Sequence, residues 1–178
     1  QGSAMADALS ILKAGSLLDA QGGSVKSETA LNGKTVAIYF SAHWCPPCRA
    51  FTPSLVQFYN TLKAKHGDEF ELVFCSSDRS KQDMEKYQQE CKMPWLAVPH
   101  NDPRQGQLSS LFGIRGIPAL CVVSSDGRLV TSYGRADVSK HTPEQCLAAW
   151  SKGEMLEKTE GGANLWMKIV FLFLAYQA

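Results

Sequence analysis

The sequence lacks features that would place it in several common classes of protein. Its 18 basic and 17 acidic residues leave a formal net charge of +1, and no run of basic residues is present. A chain so balanced has no field that attracts nucleic acid or an acidic membrane surface. The sequence also has no internal repeat and no low-complexity segment. Nucleic acid is therefore not expected as a partner.

Metal ligands and secretion signals are lacking too. A zinc site would need two ligands besides Cys45 and Cys48, and the sequence has no second Cys-x-x-Cys and no His-x-x-x-His, so we predict no metal site. Only two of the six cysteines are closely spaced, which is typical of a reducing compartment rather than of a secreted disulfide framework. No secretory signal follows Met5, and we expect a cytoplasmic protein.

The length of 178 residues and the apolar content of 44% suit one compact domain with some additional sequence. We interpret residues 1–4 as a cloning remnant, residues 5–152 as the domain, and residues 153–178 as a linker and apolar C-terminal tail. The segment from Leu165 to Tyr176 is almost wholly apolar but shorter than the ~20 residues of a spanning helix. It is either a short membrane anchor or a helix that packs on a groove of its own or a neighbouring chain.

The most informative motif is Cys45-Pro46-Pro47-Cys48. A strand-like run, Thr35 to Phe40, precedes it, and a run of helical periodicity follows. Cys45 is therefore expected at a helix N-terminus, where free N–H groups and the helix dipole favour a thiolate. Two thiols at this spacing can form a disulfide and reopen it, so we predict thiol–disulfide exchange. Two inert core cysteines are the alternative.

The rest of the chain predicts alternating strands and helices, which indicates an α/β fold with parallel strand pairing. The predicted elements are a helical stretch from Ala8 to Leu18 followed by short extended pieces, strand Phe70–Cys75, helix Ser80–Glu90, a loop from Met93 to Pro99, helix Gln105–Phe112, strand Ala119–Val123, a hairpin turn at Asp126-Gly127, and a last helix from Thr142 to Trp150.

The sequence resembles thioredoxin-fold proteins of the nucleoredoxin and tryparedoxin class. The resemblance is carried by Tyr39 to Arg49, Phe51 to Pro53, Lys92 to Pro99, and Gly116 to Pro118. It implies a thioredoxin fold, with a mixed central sheet and helices on both faces. Ordinary thioredoxins match less well, because they carry an acidic residue where this chain has Tyr39, six positions before the first cysteine.

The resemblance also implies roles for individual residues around the two cysteines. Cys45 would be the nucleophile and Cys48 the resolving thiol. Trp44 would shield the pair and offer an apolar contact surface, and its alternative is a buried core aromatic. Pro46 and Pro47 would stiffen the ring between the two sulfurs and belong to the substrate-binding surface. Pro118 would be a cis-proline facing the disulfide, which leaves the backbone of Ile117 free to pair with a substrate.

Other candidate residues have two interpretations each. Trp95 either contributes to a substrate surface or belongs to a loop packed on the helix ends. Arg135 either meets a glutathionyl carboxylate, as the resemblance implies, or is solvated. His43 either influences the thiolate by its charge or is an exposed spectator. Cys91 is expected to be the most oxidisable of the remaining cysteines.

The resemblance implies an enzyme that passes electrons to protein disulfides, such as those of a peroxiredoxin. No cofactor beyond the redox-active disulfide of Cys45 and Cys48 is implied. Trypanothione, glutathione or a protein of the thioredoxin reductase type would be the electron donor. The alternative is a binding protein whose partner capture depends on the redox state of the dithiol.

Overall fold

A computed structural model describes residues 7–156. The interpretations of residues 1–4 and of the segment from Leu165 to Tyr176 lie outside this range and stay predictions. Within residues 7–156, none of the helices combines the length and the hydropathy needed to cross a membrane.

The described range contains seven helices and seven strands. In chain order they are α1 (Ala8–Lys13), β1 (Leu17–Leu18), β2 (Ser24–Val25), α2 (Ser27–Leu31), β3 (Thr35–Ser41), α3 (Pro46–His66), β4 (Phe70–Ser76), α4 (Lys81–Glu90), β5 (Leu96–Ala97), α5 (Pro103–Leu111), β6 (Ala119–Val123), β7 (Leu129–Thr131), α6 (Gly134–Lys140) and α7 (Pro143–Trp150).

All seven strands form one sheet in the order β2-β1-β5-β4-β3-β6-β7. Strand β3 pairs in parallel with β4 and antiparallel with β6, so the sheet is mixed, as predicted. In the sheet, Ser41 pairs with Ser76 and Phe40 pairs with Ala119. The end of β3, the end of β4 and the start of β6 therefore lie at the same end of the sheet. The loops that follow or precede these strands therefore meet there.

The central strand β3 is buried along its whole length and faces two cores. Ala37 and Tyr39 belong to the core that contains residues of α3, α4 and α7, whereas Val36, Ile38 and Phe40 belong to the core under α1, α2 and α5. This alternation follows from the two-residue period of a strand. Both faces of the sheet are therefore covered by helices.

The N-terminal segment differs from the sequence-based expectation. The predicted helix from Ala8 to Leu18 ends at Lys13, because Leu17 and Leu18 pair with β2 and Leu18 pairs with Ala97 of β5. The region from Met93 to Pro99, expected as a loop, contains β5. Helix α6 was not predicted at all; its buried Asp137 accepts a 3.0 Å hydrogen bond from the indole of Trp150.

The nearly buried guanidinium of Arg104 holds α5 against the N-terminal segment. Its nitrogens donate to the carbonyls of Leu12, Gly15 and Ser16 at 2.6–2.8 Å and to both carboxylate oxygens of Asp102. A planar donor with five N–H groups suits such a set of acceptors. One side chain thus satisfies three backbone carbonyls, one in α1 and two in the segment between α1 and β1.

Candidate active site

The Cys-Pro-Pro-Cys motif lies at the transition from β3 to α3. Cys45 is the N-cap residue of α3, with extended backbone angles, and its sulfur accepts a 3.3 Å hydrogen bond from the backbone N–H of Cys48. Pro46 and Pro47 occupy the first turn, where a missing N–H leaves no helical bond unmade. The helix N-terminus therefore stabilises negative charge on the Cys45 sulfur.

Cys45 and Cys48 form a disulfide with Cα atoms 5.2 Å apart. Cys45 retains 4% exposure and Cys48 none, so the first sulfur is the more accessible of the two. Cys48 lies beneath it within the first turn of α3 and can attack only a sulfur already bound to Cys45. Cys45 is the candidate nucleophile and Cys48 the candidate resolving thiol.

The loop before β6 faces the disulfide. The Sγ atom of Cys45 lies 3.8 Å from the carbonyl oxygen of Ile117, and the peptide bond between Ile117 and Pro118 is cis. Pro118 is buried and Ile117 is partly exposed beside the cysteines. Arg135 is exposed, and its Nη1 donates to the carbonyl of Pro118 at 3.1 Å while the guanidinium stacks over the ring of Phe51. The structure thus places Arg135 near the site.

Trp44 presents a large apolar surface next to the disulfide. Its side chain is 58% exposed, and the indole N–H donates to the carbonyl of Ser77 at 3.1 Å. Pro46 and Pro47 are exposed as well. The side chains of the motif that flank Cys45 are therefore apolar and exposed, which suits contact with a protein substrate.

The structure corrects the expectation that Trp95 contributes to a substrate surface. Trp95 has no exposed area, and its ring contacts those of Tyr39 and Tyr59 edge to face. An indole buries a large apolar area, which outweighs the tendency of a loop between prolines to lie at the surface. Trp95 is a core residue, in agreement with the second interpretation given above.

A cluster of buried hydroxyl groups lies beneath Cys48. The Thr52 hydroxyl donates to the Cys48 carbonyl at 2.8 Å and contacts the hydroxyls of Tyr39 at 2.9 Å and Tyr87 at 2.6 Å. The Tyr87 hydroxyl also contacts that of Ser41 at 2.9 Å. Burial raises the pKa of Tyr39, so this group stays neutral where ordinary thioredoxins carry an acid.

Sequence reasoning had identified only Tyr39 from this cluster. Thr52 lies in the matched Phe-Thr-Pro run, four residues after Cys48, which is the spacing of a hydroxyl that bonds back along a helix. That spacing would have revealed Thr52. Tyr87 comes from α4, 35 residues further along the chain, and nothing local to it indicates the contact.

His43 is held by neighbouring groups beside the motif. Its Nε2 lies 2.8 Å from a carboxylate oxygen of Glu90, and its ring packs over that of Tyr87. Its backbone N–H donates to Asp78, and its carbonyl accepts a hydrogen bond from Arg49. The structure therefore places His43 in a fixed orientation next to Trp44 rather than as a free spectator.

The other four cysteines are free thiols in less reactive surroundings. Burial raises the pKa of Cys121 and of Cys146 to about 12 and also raises that of Cys75. Cys91 is partly exposed, yet burial and then the nearby Glu90 raise its pKa as well. Cys91 is thus the most exposed of the four remaining thiols, in line with the expectation for it, although its thiolate is disfavoured. Over residues 7–156, no group of three or more His, Cys, Asp or Glu side chains is arranged to hold a metal ion.

The fold and the disulfide at the start of α3 define a thioredoxin-type protein. The chain belongs to the thioredoxin-like family, whose model matches residues 32–129, and the expected thioredoxin fold is confirmed. Among individual proteins, it is 44% identical to nucleoredoxin of Danio rerio over 136 residues and 43% identical to that of Mus musculus over 152 residues. These alignments cover 76% and 84% of this chain but 32% and 34% of the relatives, so the chain spans about a third of their length.

The alignments with solved structures cover most of the solved chain, unlike those with the nucleoredoxins. A thioredoxin from Wuchereria bancrofti is 44% identical with a TM-score of 0.68, and the alignment covers 78% of this chain and 95% of that one. A tryparedoxin II complexed with glutathionylspermidine is 38% identical with a TM-score of 0.64, covering 70% and 85% of the two chains. The resemblance to the nucleoredoxin and tryparedoxin class is thereby confirmed.

Proposed function

We propose that this protein is a thiol–disulfide oxidoreductase that reduces disulfides of other proteins through Cys45 and Cys48. The observation that carries the proposal is the position of the Cys45 sulfur, which caps α3 and faces the Ile117 carbonyl. There a thiolate is stabilised by the helix, and the adjacent backbone can align an extended substrate.

The reaction starts from the reduced dithiol. The Cys45 thiolate attacks one sulfur of the substrate disulfide, the substrate S–S bond breaks, and the other substrate sulfur leaves as a thiolate. The Cys48 thiolate then attacks the Cys45 sulfur of the mixed disulfide. This step releases the second substrate thiolate and closes the Cys45–Cys48 disulfide, so two electrons have passed to the substrate.

An external dithiol must then return two electrons to the Cys45–Cys48 disulfide. The tryparedoxin complex with glutathionylspermidine supports a low-molecular-weight thiol such as trypanothione or glutathione, and a reductase of the thioredoxin reductase type is the protein alternative. A peroxiredoxin would be a suitable substrate, since its catalytic cycle ends in a disulfide. Such a cycle requires a reducing compartment, in line with the expected cytoplasmic location.

Cysteine variants test the proposed exchange. We expect Cys45→Ser to abolish reduction of insulin disulfides, because the accessible nucleophile is gone. Cys48→Ser should instead accumulate a mixed disulfide through Cys45, visible as a mass increase that dithiothreitol removes. Cys91→Ser is the control and should keep full activity. A mixed disulfide through Cys48, or activity retained by Cys45→Ser, would contradict the assignment.

A redox-gated binding protein is the less favoured function, since both cysteines of a complete exchange site are present. It makes a different prediction. A partner captured with similar affinity by Cys45→Ser and by the unaltered protein, without turnover, would support binding over catalysis.

A further inference from the structure

Four exposed arginines surround the disulfide end of the sheet: Arg49, Arg79, Arg115 and Arg135. Two of them form hydrogen bonds with backbone carbonyls beside the disulfide: Arg49 donates to the carbonyl of His43, and Arg135 donates to the carbonyl of Pro118. The other two, Arg79 and Arg115, have no carboxylate within ion-pair distance in the described part of the chain. These two guanidinium groups are available to a ligand.

Arg79 and Arg115 lie on opposite sides of the disulfide. Arg79 follows β4 and Arg115 precedes β6, and these two strands are the neighbours of β3 in the sheet. Arg79 lines a cavity of about 290 Å³ together with His43 and Trp44. Arg115 lies two residues before Ile117, whose carbonyl faces the Cys45 sulfur. A peptide that crosses Cys45 would therefore pass near one arginine on each side.

The carboxylates on the neighbouring segments and beside the residues that line the adjacent cavities are already bound by other groups. Asp78 accepts hydrogen bonds from the His43 backbone N–H and the Ser76 hydroxyl, and Asp83 accepts one from the Ser80 hydroxyl. Glu90 forms ion pairs with His43 and Lys86. Asp102 forms an ion pair with Arg104. Asp83 also lines the cavity beside Arg79, but not within ion-pair distance of its guanidinium. The two charges thus lack a direct ion-pair partner, although the whole chain is nearly neutral.

We propose that Arg79 and Arg115 select protein substrates whose disulfide lies in an acidic segment, with carboxylate side chains on both sides of the attacked cysteine. This proposal rests on the proposed exchange reaction and names its preferred substrate. Complementary charge steers encounter and fixes the register of a bound peptide, and it does so more strongly at low salt. Each exposed charge pair should change kcat/KM by about two- to fivefold.

The test compares two synthetic peptides that contain the same intramolecular disulfide. One has glutamate on both sides of each cysteine, and the other has glutamine at those positions. At low salt, we expect the unaltered protein to reduce the glutamate peptide about four- to twenty-fivefold faster in kcat/KM, because the effects of the two pairs multiply. The ratio should fall toward one in 1 M salt.

Substitutions assign the preference to the two arginines. Arg79→Gln and Arg115→Gln should each lower the ratio of the two rates, and the double variant should bring it near one while the glutamine peptide is reduced at an unchanged rate. Arg128→Gln is the matched control, because this exposed arginine lies on the β6–β7 hairpin at the opposite end of the sheet.

The outcomes separate this proposal from the exchange function itself. If neither peptide is reduced, the exchange function is wrong. If both are reduced equally by the unaltered protein, or if the double variant keeps the preference, the exchange function stands and the role of Arg79 and Arg115 is overturned. An equal slowing of both peptides in the variants would also overturn it, since that result would indicate a general effect on Cys45.

Discussion

Six cysteines occupy two kinds of environment in this chain, and the difference is set within a few ångströms of each sulfur. Cys45 accepts a backbone hydrogen bond at a helix start, whereas Cys75, Cys121 and Cys146 are buried in the core, and burial is the largest influence on each of their thiols. A buried thiol in apolar surroundings keeps its proton, because no group replaces the solvation of its anion. An environment that stabilises a thiolate is therefore found at the motif and not at these three buried cysteines.

Alkylation should reveal this difference. When the reduced protein is treated briefly with iodoacetamide near pH 7.5, we expect Cys45 to be modified first, with Cys75, Cys121 and Cys146 protected by burial and a raised pKa. Mass spectrometry of tryptic peptides measures the extent at each site. Unfolded protein is the control and should be labelled at all six cysteines. Labelling of Cys91 as fast as Cys45 would show that its environment does not suppress the thiolate.

At the scale of elements, α3 is linked to β3 and α4 through the Thr52 hydroxyl. This group satisfies the Cys48 carbonyl and contacts two tyrosine hydroxyls that are themselves buried. The first turn of α3, which holds the disulfide, is thereby attached to two other elements of the core.

Replacing Thr52 should cost more than replacing a comparable threonine of the same helix. Thr52→Val keeps the shape but leaves buried hydroxyls with fewer partners, so we expect a loss of roughly 1 to 3 kcal/mol in the free energy of unfolding. Thr61→Val is the matched control, since Thr61 makes the same bond to the carbonyl four residues back but near solvent, and it should cost under about 0.5 kcal/mol. Urea unfolding of both variants measures the difference. Equal losses in the free energy of unfolding would show that the buried hydroxyl cluster does not contribute to stability.

The elements that were predicted from sequence are those with a clear period or a terminal signal. Strand β6 has the predicted bounds, and α7 begins after Thr142, whose side chain forms a capping box with Gln145. Strands β1 and β5 have two residues each, too few to show a period, and they form where the sheet offers them a neighbour. Strand β2 is one of the short extended pieces expected after the first helix, but α2 lies in the same region and was expected to be extended. Helix α6 is a short segment whose anchor is the contact of Asp137 with α7, which no local pattern reveals.

Some residues of the candidate site were likewise predictable from the sequence, and others were not. Cys45, Cys48 and the Ile117-Pro118 step were found because their motifs are local and specific. The burial of Trp95 and the contact of Tyr87 with Thr52 depend on how distant elements pack, and sequence patterns do not report such packing.

At the scale of the whole molecule, Arg104 joins the N-terminal segment to the rest of the domain. We expect Arg104→Ala to lower the free energy of unfolding by roughly 2 to 4 kcal/mol, because buried carbonyls lose a charged donor. Arg128→Ala, at an exposed ion pair, should change it by under about 0.5 kcal/mol. Thermal unfolding of both variants provides the comparison. A similar small effect of the two substitutions would indicate that water replaces the Arg104 bonds.

The same contact makes a prediction about acid. Hydrogen bonds from Arg104 hold the pKa of Asp102 below its ordinary value of 3.8. Since the folded value lies below the unfolded one, this contribution is fully present above about pH 4 and is lost as the pH falls through the folded value. Stability measured from pH 6 to pH 2 should therefore fall less steeply in Asp102→Asn than in the unaltered protein. Parallel curves would contradict the assignment.

The residues of the site all lie within the described range, so the segment after it should be dispensable for exchange. We expect a chain that ends at Leu156 to keep its insulin reductase activity. If the apolar tail is a membrane anchor, this truncation should also release the protein from detergent or vesicles. If the tail instead packs on a protein groove, gel filtration should show a change of oligomeric state or the melting temperature should fall. Loss of activity on truncation would contradict the assignment of the whole site to residues 7–156.

The two outermost strands of the sheet, β2 and β7, have two and three residues. An outer strand presents unpaired N–H and C=O groups, and long ones recruit strands from other molecules into aggregates. Neither of these outer strands is long enough to pair stably with a strand of another molecule. The hydrophobic strands β3 and β4 lie inside, each paired on both sides. The exposed apolar side chains of Trp44, Pro46 and Pro47 beside the disulfide are thus separated from the strands most prone to aggregate.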